Sequence, residues 1–317
     1  MQAVILAAGK GSRLHPITTN RSKAMLPILG KPIVERVMEH LVANGIDDFI
    51  LVVSLDDQHI HRYFRRESQL EADVRFVYQP RRLGMANALQ CAVPLLTGDF
   101  ILSACDNLTS STHVGQMLAL WQAEPRPNAI LTLMVAPPES AHNTGIVVLD
   151  GPWVQRIVEK PGPERAPSNI ASLPLYCFSS KILDYLPEVA LSSRGEYELQ
   201  DAIQMLIERD GQVLGLTVEN RLTLTSPADL LGINRHYLTT GNNLPQLQPQ
   251  TVGTNTHLIT PLHIERGTLI GENCTIGPNV YIERDCRIGD GASIRDAILL
   301  RETTVPDGAV IVDQVVS

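Results

Sequence analysis

Short apolar runs alternate with helical patterns through the first two-thirds of the chain. Residues 3–8, 49–53, 74–78 and 100–104 are compact apolar stretches that predict buried strands, and residues 33–43 and 86–96 carry apolar positions at helical spacing. In the first of these helices Ile33, Val34, Val37, Met38, Leu41 and Val42 share one face, Pro32 suits the first turn, and Gly45 can close the helix in a left-handed cap. Strands separated by helices predict βαβ units around a mostly parallel sheet.

The last quarter obeys another period. From Val252, residues Leu258, Ile264, Ile270, Ile276, Ile282, Ile288, Ile294 and Leu300 recur at every sixth position, which neither a helix nor a strand produces. Glycine follows the aliphatic residue at Gly271, Gly277 and Gly289, and small or β-branched residues hold the fourth position after it at Thr268, Cys274, Val280, Cys286 and Ala292. This is the hexapeptide pattern of a parallel β-helix, each aliphatic residue pointing into a narrow prism. Resemblance to that repeat family implies the left-handed form with three hexapeptides to a coil, so that about three coils fit. Residues 239–251 (TTGNNLPQLQPQT) are polar and rich in Asn, Gln and Pro and are expected to be a linker. So short a prism suits a structural or oligomerising role, and a homo-oligomer through the β-helix is expected. Acetyltransferases with this repeat generally use longer prisms and a catalytic histidine between subunits, whereas the nearby histidines here, His257 and His263, fall in the first coils.

Composition narrows the choice. The 317 residues are 44% hydrophobic, enough for two domains with real cores, and 34 acidic against 26 basic residues give a formal charge of −8. That balance argues against a general electrostatic grip on nucleic acid or an anionic membrane, so phosphate chemistry must use local positive charge. The basic residues are 21 arginines and five lysines, at Lys10, Lys23, Lys31, Lys160 and Lys181. Five scattered cysteines without metal-ligand spacing indicate neither a disulfide framework nor a zinc site, and point to a reducing cytoplasm. No apolar run approaches the roughly 20 residues of a membrane span, and the early Gly-Lys-Gly-Ser-Arg is unlike a signal peptide.

Residues 6–32 read LAAGKGSRLHPITTNRSKAMLPILGKP. A loop with Gly9 and Gly11, then Ser12 and Arg13, follows a predicted strand, and no carboxylate precedes Glu35. Glycines let backbone N–H groups wrap phosphate oxygens, and a guanidinium can neutralise a leaving pyrophosphate. Neither the Walker spacing nor the dinucleotide fingerprint fits, since Leu14 stands where the third glycine of the latter belongs. The whole stretch closely resembles the signature of the sugar-1-phosphate nucleotidyltransferases, LAAGxGTRLxPLTxxxPKxLLPVxGKP. It departs from it at Ser12, which keeps the hydroxyl of the usual threonine, and at Ser22, where proline is usual before the lysine.

Further matches follow in family order. Gln79 and the run from Leu83 to Ala88 resemble the family's base-recognition segment, in which a glutamine amide pairs with a pyrimidine edge and a glycine lets the base lie against the backbone. Asp106 ends a strand like the family's metal-binding aspartate, where open α/β sheets bind ligands. Gly145, Glu159, Lys160 and Asn169 match the sugar side: the resemblance gives Glu159 the sugar hydroxyls and Lys160 the sugar phosphate. The second metal position departs from relatives with Trp-x-Asp-x-Gly-Thr-Pro, since Thr223 stands where that aspartate would be. Glu219-Asn220-Arg221-Leu222 instead resembles the Val-Asn-Asn-Arg-Leu stretch of the bacterial N-acetylglucosamine-1-phosphate uridyltransferases, making Asn220 the expected partner of Asp106 on Mg²⁺. Downstream, Ser226, Pro227 and Asp229 read as a helix start.

The resemblance therefore implies a Rossmann-like nucleotidyltransferase domain over residues 1–238, a linker, and a β-helix over 252–317. The implied reaction joins a pyrimidine triphosphate, dTTP or UTP, to a sugar-1-phosphate, with glucose-1-phosphate ranked before N-acetylglucosamine-1-phosphate. Arg13, Lys23, Asp106 and Lys160 are the expected catalytic residues, and Leu6, Ala8, Gly9, Gly11, Ser12, Arg13, Gln79 and Gly84 the expected nucleotide-binding set. Two alternatives stand beside it. One is a non-catalytic sugar-nucleotide sensor, suggested by the altered metal site and by Cys105 where relatives commonly have glycine. The other is a bifunctional enzyme that also acetylates.

Overall fold

The computed structural model describes residues 1–137, 139, 141, 143–240 and 247–317. The chain forms two compact units, one of Met1–Gly9 with Val34–Arg221 and the other of Lys10–Ile33 with Leu222–Ser317.

The first unit is built on a nine-stranded sheet. Its strands in chain order are β1 (Gln2–Leu6), β2 (Asp48–Ser54), β3 (Asp73–Gln79), β4 (Phe100–Ala104), β5 (Ala129–Val135), β6 (Gly145–Asp150), β7 (Trp153–Glu159), β8 (Ile170–Phe178) and β9 (Val213–Thr217). They lie in the order β3-β2-β1-β4-β8-β5-β9-β7-β6, with β8 also pairing β6. The four strands expected from apolar runs form the parallel block β3-β2-β1-β4. Beyond β4 the sheet is mixed: β5 and β9 are parallel, but β8 runs against β4, β5 and β6, and β7 against β6 and β9. Between β6 and β7 the reason is local. Only Gly151, in the left-handed region at φ 56°, and Pro152 separate β6 from β7, too short a connection for a parallel crossover.

Register sets the position of the chemistry. Leu6 pairs with Val52 and with Ala104, and Ser54 pairs with Gln79, so the carboxyl ends of β1 to β4 share one edge of the sheet. Ligands of open α/β sheets bind at such an edge. Behind it the helix Met85–Ala92 packs Ala86, Ala88, Leu89 and Ala92 into the core with Val4, Ile50, Leu102 and Tyr176. The first predicted helix forms over Ile33–Val42, with Gly45 at φ 78° donating to Val42 O.

The second unit holds a hairpin of Pro27–Ile28 with Lys31–Pro32, the helix Pro227–Thr240 and three parallel four-stranded sheets of short strands. The helix starts as its sequence predicts. Ser226 Oγ accepts from Asp229 N at 3.3 Å, and Asp229 Oδ2 accepts from Ser226 N at 2.8 Å. Of the expected linker, Thr239 and Thr240 close this helix, residues 241–246 lie outside the described residues, and Thr251 already belongs to a strand.

The three sheets are the faces of a parallel β-helix, with Ile264, Ile270, Ile276, Ile282, Ile288 and Ile294 in its apolar core. Four strands per face give one more rung than expected, because the pairing begins at Thr251–Val252 and continues to Val315–Val316. The sixfold frame also slips twice. Ile264 pairs with Ile282, eighteen residues on, but Ile282 pairs with Leu299 and Leu299 with Val316, each seventeen on. Leu299, Val305 and Ile311 therefore enter the core, and Leu300, though buried, is not among its members. One residue is lost at the turn around Asp296 and another at the turn around Asp313, which take left-handed φ of 49° and 51°. Asn273, Asn279 and Asp285 turn other corners in the same conformation, which Asn and Asp tolerate better than most residues. All five cysteines are free. Among the described residues no helix is long and apolar enough to cross a membrane.

Candidate active site

In the first unit the chain leaves β1 with Ala7 N donating to Val52 O at 2.8 Å and Cys105 N donating to Leu6 O at 3.2 Å. Leu6 and Ala7 are thus held by backbone bonds between strand ends, and Gly9 has open space where a side chain would be. Arg82 ties this edge together, Nε to Ala8 O at 2.7 Å and Nη2 to Ser54 Oγ at 2.9 Å.

Gln79, at the end of β3, is buried and its side chain is oriented without ambiguity. Nε2 donates to the backbone oxygen of Gly84 at 3.1 Å and to Asn87 Oδ1 at 3.0 Å. A carbonyl oxygen can only accept, so the amide nitrogen must face it, and Oε1 is left as the group free to meet a ligand. Gly84 itself sits at φ 94° and ψ 178°, a region essentially confined to glycine. A Cβ there would lie 2.6 Å from Tyr197 O and 2.9 Å from Tyr197 N. The loop is that close because Tyr197 N donates to Leu83 O and Ala86 N to Tyr197 O.

Asp106 follows β4 and is half-buried. Asn107 beside it is buried, and its Oδ1 accepts from Arg221 Nη1 at 3.4 Å. Burial draws the Arg221 guanidinium below its usual value, and the charge of Asp106 opposes that shift. Asn220, next to Arg221 in the chain, is exposed.

On the other half of the sheet, Gly145 pairs across strands with Glu159. A Cβ at Gly145 would stand 3.2 Å from Glu159 Oε2 and 3.2 Å from Gln200 Cγ. Glu159 Oε1 accepts an ion pair from Lys160 Nζ at 3.1 Å, with Arg194 Nη2 at 3.9 Å. Its Oε2 and Gln200 Oε1 are both buried without a hydrogen-bond partner among the described residues. Two buried acceptors lacking donors favour a ligand that brings hydroxyl groups. Burial pushes the Glu159 carboxyl up, against the pull of Lys160. Lys160 takes a left-handed φ of 44°, a cost that residues other than glycine pay mainly where a site requires it. Asn169 stands apart: it precedes Ile170, which pairs with Val147, and Ser172 is the partner of Gly145. Three strand positions make about 10 Å.

In the second unit Gly11 is left-handed at φ 64° and opens a single turn, Ser12–Leu14, that leaves Ser12 and Arg13 exposed. A Cβ at Gly11 would come within 2.9 Å of Lys23 Cβ, so the glycine allows the two turns carrying Arg13 and Lys23 to approach.

Comparison with known proteins decides the family, because residues 2–221 match the model described as nucleotidyl transferase. The chain belongs to that family. Residues 258–317 match a second model, the GMPPB C-terminal domain. A bifunctional protein GlmU of Methanococcus vannielii is 30% identical over 340 residues, covering 100% of this chain and 78% of that protein. The UTP–glucose-1-phosphate uridylyltransferase AglF of Haloferax volcanii is 31% identical over 231 residues, covering 72% of this chain and 93% of AglF. Among solved structures, the UTP-bound UGPase from Acinetobacter baumannii superposes with a TM-score of 0.67 at 26% identity, over 77% of this chain and 95% of the other. The nucleotidyl transferase described here is thus a sugar-1-phosphate nucleotidyltransferase. Sequence patterns did not single out Asn87, Arg82, Arg194 or Gln200 in this transferase. Asn87 lies inside the run that resembles the base-recognition segment, and its position one helical turn after Gly84 was the available signal.

Proposed function

We propose that the enzyme transfers a uridylyl or thymidylyl group from UTP or dTTP to glucose-1-phosphate. An oxygen of the sugar phosphate attacks the α-phosphorus, a new P–O bond forms, the bond to the β-phosphate breaks, and pyrophosphate leaves. The observation that carries the choice of base is the orientation of Gln79. Its Oε1 can accept from the N3–H of uracil or thymine, whereas N3 of cytosine is itself an acceptor and would be opposed. The sugar is supported by the likeness to AglF. N-acetylglucosamine-1-phosphate is the second reading, favoured by GlmU relatives that match over the whole chain.

The sugar phosphate is already ionised at neutral pH, so the protein supplies alignment and charge and needs no general base. Arg13 and Lys23 take the charge of the triphosphate, with Ser12 and the backbone at Gly9 and Gly11. Lys160 holds the incoming phosphate, and Glu159 the sugar hydroxyls, with Gly145 leaving room beside it. Members of the family generally use a divalent metal. Among the described residues no group of three or more His, Cys, Asp and Glu side chains gathers. The chemistry of the donor set still fits magnesium, which binds through one or two carboxylates plus waters and substrate phosphates. Asp106 with the amide oxygen of Asn220 would hold it. When bound, the ion would offset charge on the phosphates.

Pyrophosphate release measured over a panel of triphosphates and sugar-1-phosphates, with and without Mg²⁺, is the direct test. UTP or dTTP with glucose-1-phosphate is expected to give the highest kcat/KM and CTP less than about a tenth of it, the worth of one misplaced hydrogen bond. Asn87→Leu should narrow that preference and Asn87→Asp should keep it. No release with any triphosphate would overturn the assignment. The raised Glu159 carboxyl adds a pH dependence. An ionised carboxylate is the better acceptor for sugar hydroxyls, so kcat/KM for the sugar phosphate should fall as pH drops through a value above the ordinary glutamate range of about 4.3. That acid limb should be absent from the profile of Glu159→Gln.

A further inference from the structure

One face of the β-helix is covered within the second unit. The strands Leu262–Ile264, Val280–Ile282 and Ala297–Leu299 send their first and last residues into the prism. Their middle residues, His263, Tyr281 and Ile298, are paired in register and point outward, yet are only 6%, 0% and 1% exposed. By contrast Val310, on another face, is 71% exposed.

Around that face, three sets of bonds tie the segment Lys10–Ile33 to the rest of its unit. Arg21 Nη1 donates to both oxygens of Glu283 at 2.9 Å, and the two side chains are 8% and 10% exposed. Glu283 Oε2 also accepts from Arg301 N at 2.7 Å, which fixes the carboxylate independently of Arg21. Gly30 N donates to Tyr281 Oη at 3.2 Å, and that hydroxyl donates to Glu265 Oε1. Asn234, in the helix Pro227–Thr240, accepts from Leu29 N at 3.0 Å and donates to Pro27 O at 3.2 Å. The anchors at Arg21 and at Pro27–Gly30 bracket the turn Lys23–Met25. A buried ion pair gains little net stability over apolar packing, and its better-attested use is to fix one arrangement among several. Here the arrangement fixed is that of the turn presenting Lys23.

We propose that Arg21, Glu283 and Tyr281 are positioning residues, through which the β-helix moulds the Lys23 turn for the triphosphate. This role rests on Lys23 being a triphosphate ligand, as in the function proposed above. It also gives the β-helix a task inside each chain, beyond any role in self-association.

The test uses the full-length protein with Glu283→Gln and Tyr281→Phe. Both single variants should raise KM for the triphosphate, about tenfold for Glu283→Gln and about threefold for Tyr281→Phe, with KM for the sugar-1-phosphate within twofold of wild type. Amide exchange at Met25 and Leu26, which donate to Ser22 O and Lys23 O, should quicken in the single variants while the prism amides of Leu269 and Gly271 keep their rates. If Glu283→Gln fails to fold, Tyr281→Phe decides, since it removes one oxygen and keeps the ring. Unchanged exchange at Met25 and Leu26, or an equal fall in the use of both substrates, would overturn the inference. A wild-type protein that transfers no nucleotide would remove the functional reading alone, because the exchange measurement needs no substrate.

Discussion

Asp106→Ala is expected to lower turnover by about two powers of ten, the loss that follows when a principal charge stabiliser is removed. Asp106 is half-buried just beyond β4, where the register of the parallel strands brings their carboxyl ends together. As the proposed metal ligand it is the carboxylate of a pair whose second member, Asn220, offers only a neutral oxygen. Its loss leaves magnesium with the weaker donor, so the residual activity should need a higher magnesium concentration. The same substitution also withdraws the charge that supports Arg221 in its buried setting. Asp106→Asn separates the two effects, since it keeps the shape and an oxygen donor, and should fall between Ala and wild type in magnesium requirement. Pyrophosphate release across a magnesium titration reads both variants. Turnover of Asp106→Ala within tenfold of wild type would exclude Asp106 from the chemistry.

Arg13→Ala should cost a comparable factor in kcat by another route. Arg13 lies exposed on the single turn that Gly11 opens, so its removal disturbs no packing. Thermal unfolding should therefore stay within about one or two degrees of wild type, as for most exposed substitutions. Its proposed partner is the charge that grows on pyrophosphate as it leaves, which is larger in the transition state than in the bound triphosphate. The loss should accordingly appear in kcat more than in KM. Arg13→Lys should recover part of the rate, because lysine restores the charge without the two-pronged geometry. A rise in KM with kcat unchanged would reassign Arg13 to ground-state binding.

Much of this was legible in the chain because it is written locally. The strand ending at Leu6, the glycine turn after it, the helix from Ile33 and the start at Ser226 each follow from period or capping within a few residues. The hexapeptide period is more explicit still, since one aliphatic residue in six must fill the prism. The antiparallel half of the sheet was not legible in the same way. An apolar run such as Ala129–Val135 states that a strand is buried and says nothing about the direction of its neighbours. Side-chain partners across long separations were the least legible. Arg21 and Glu283 are 262 positions apart, and a charge does not announce which opposite charge it meets. Gln79 is expected from its motif to be a recognition residue, but the hydrogen bonds that orient its amide come from Gly84 and Asn87 and depend on how the loop folds back.

The seventeen-residue step between Ile282 and Leu299 constrains how this prism can be lengthened or repaired. An eighteen-residue module copied from the regular rungs can be spliced in ahead of Asp296, where every strand keeps its phase. Spliced in beyond that corner, in the frame that the sixfold count suggests, the same module would present Leu300 to the interior instead of Leu299 and turn every later side chain through one position. The corners at Asp296 and Asp313 thus act as phase markers, dividing the β-helix into a repetitive stem and a terminal part that is not interchangeable with it.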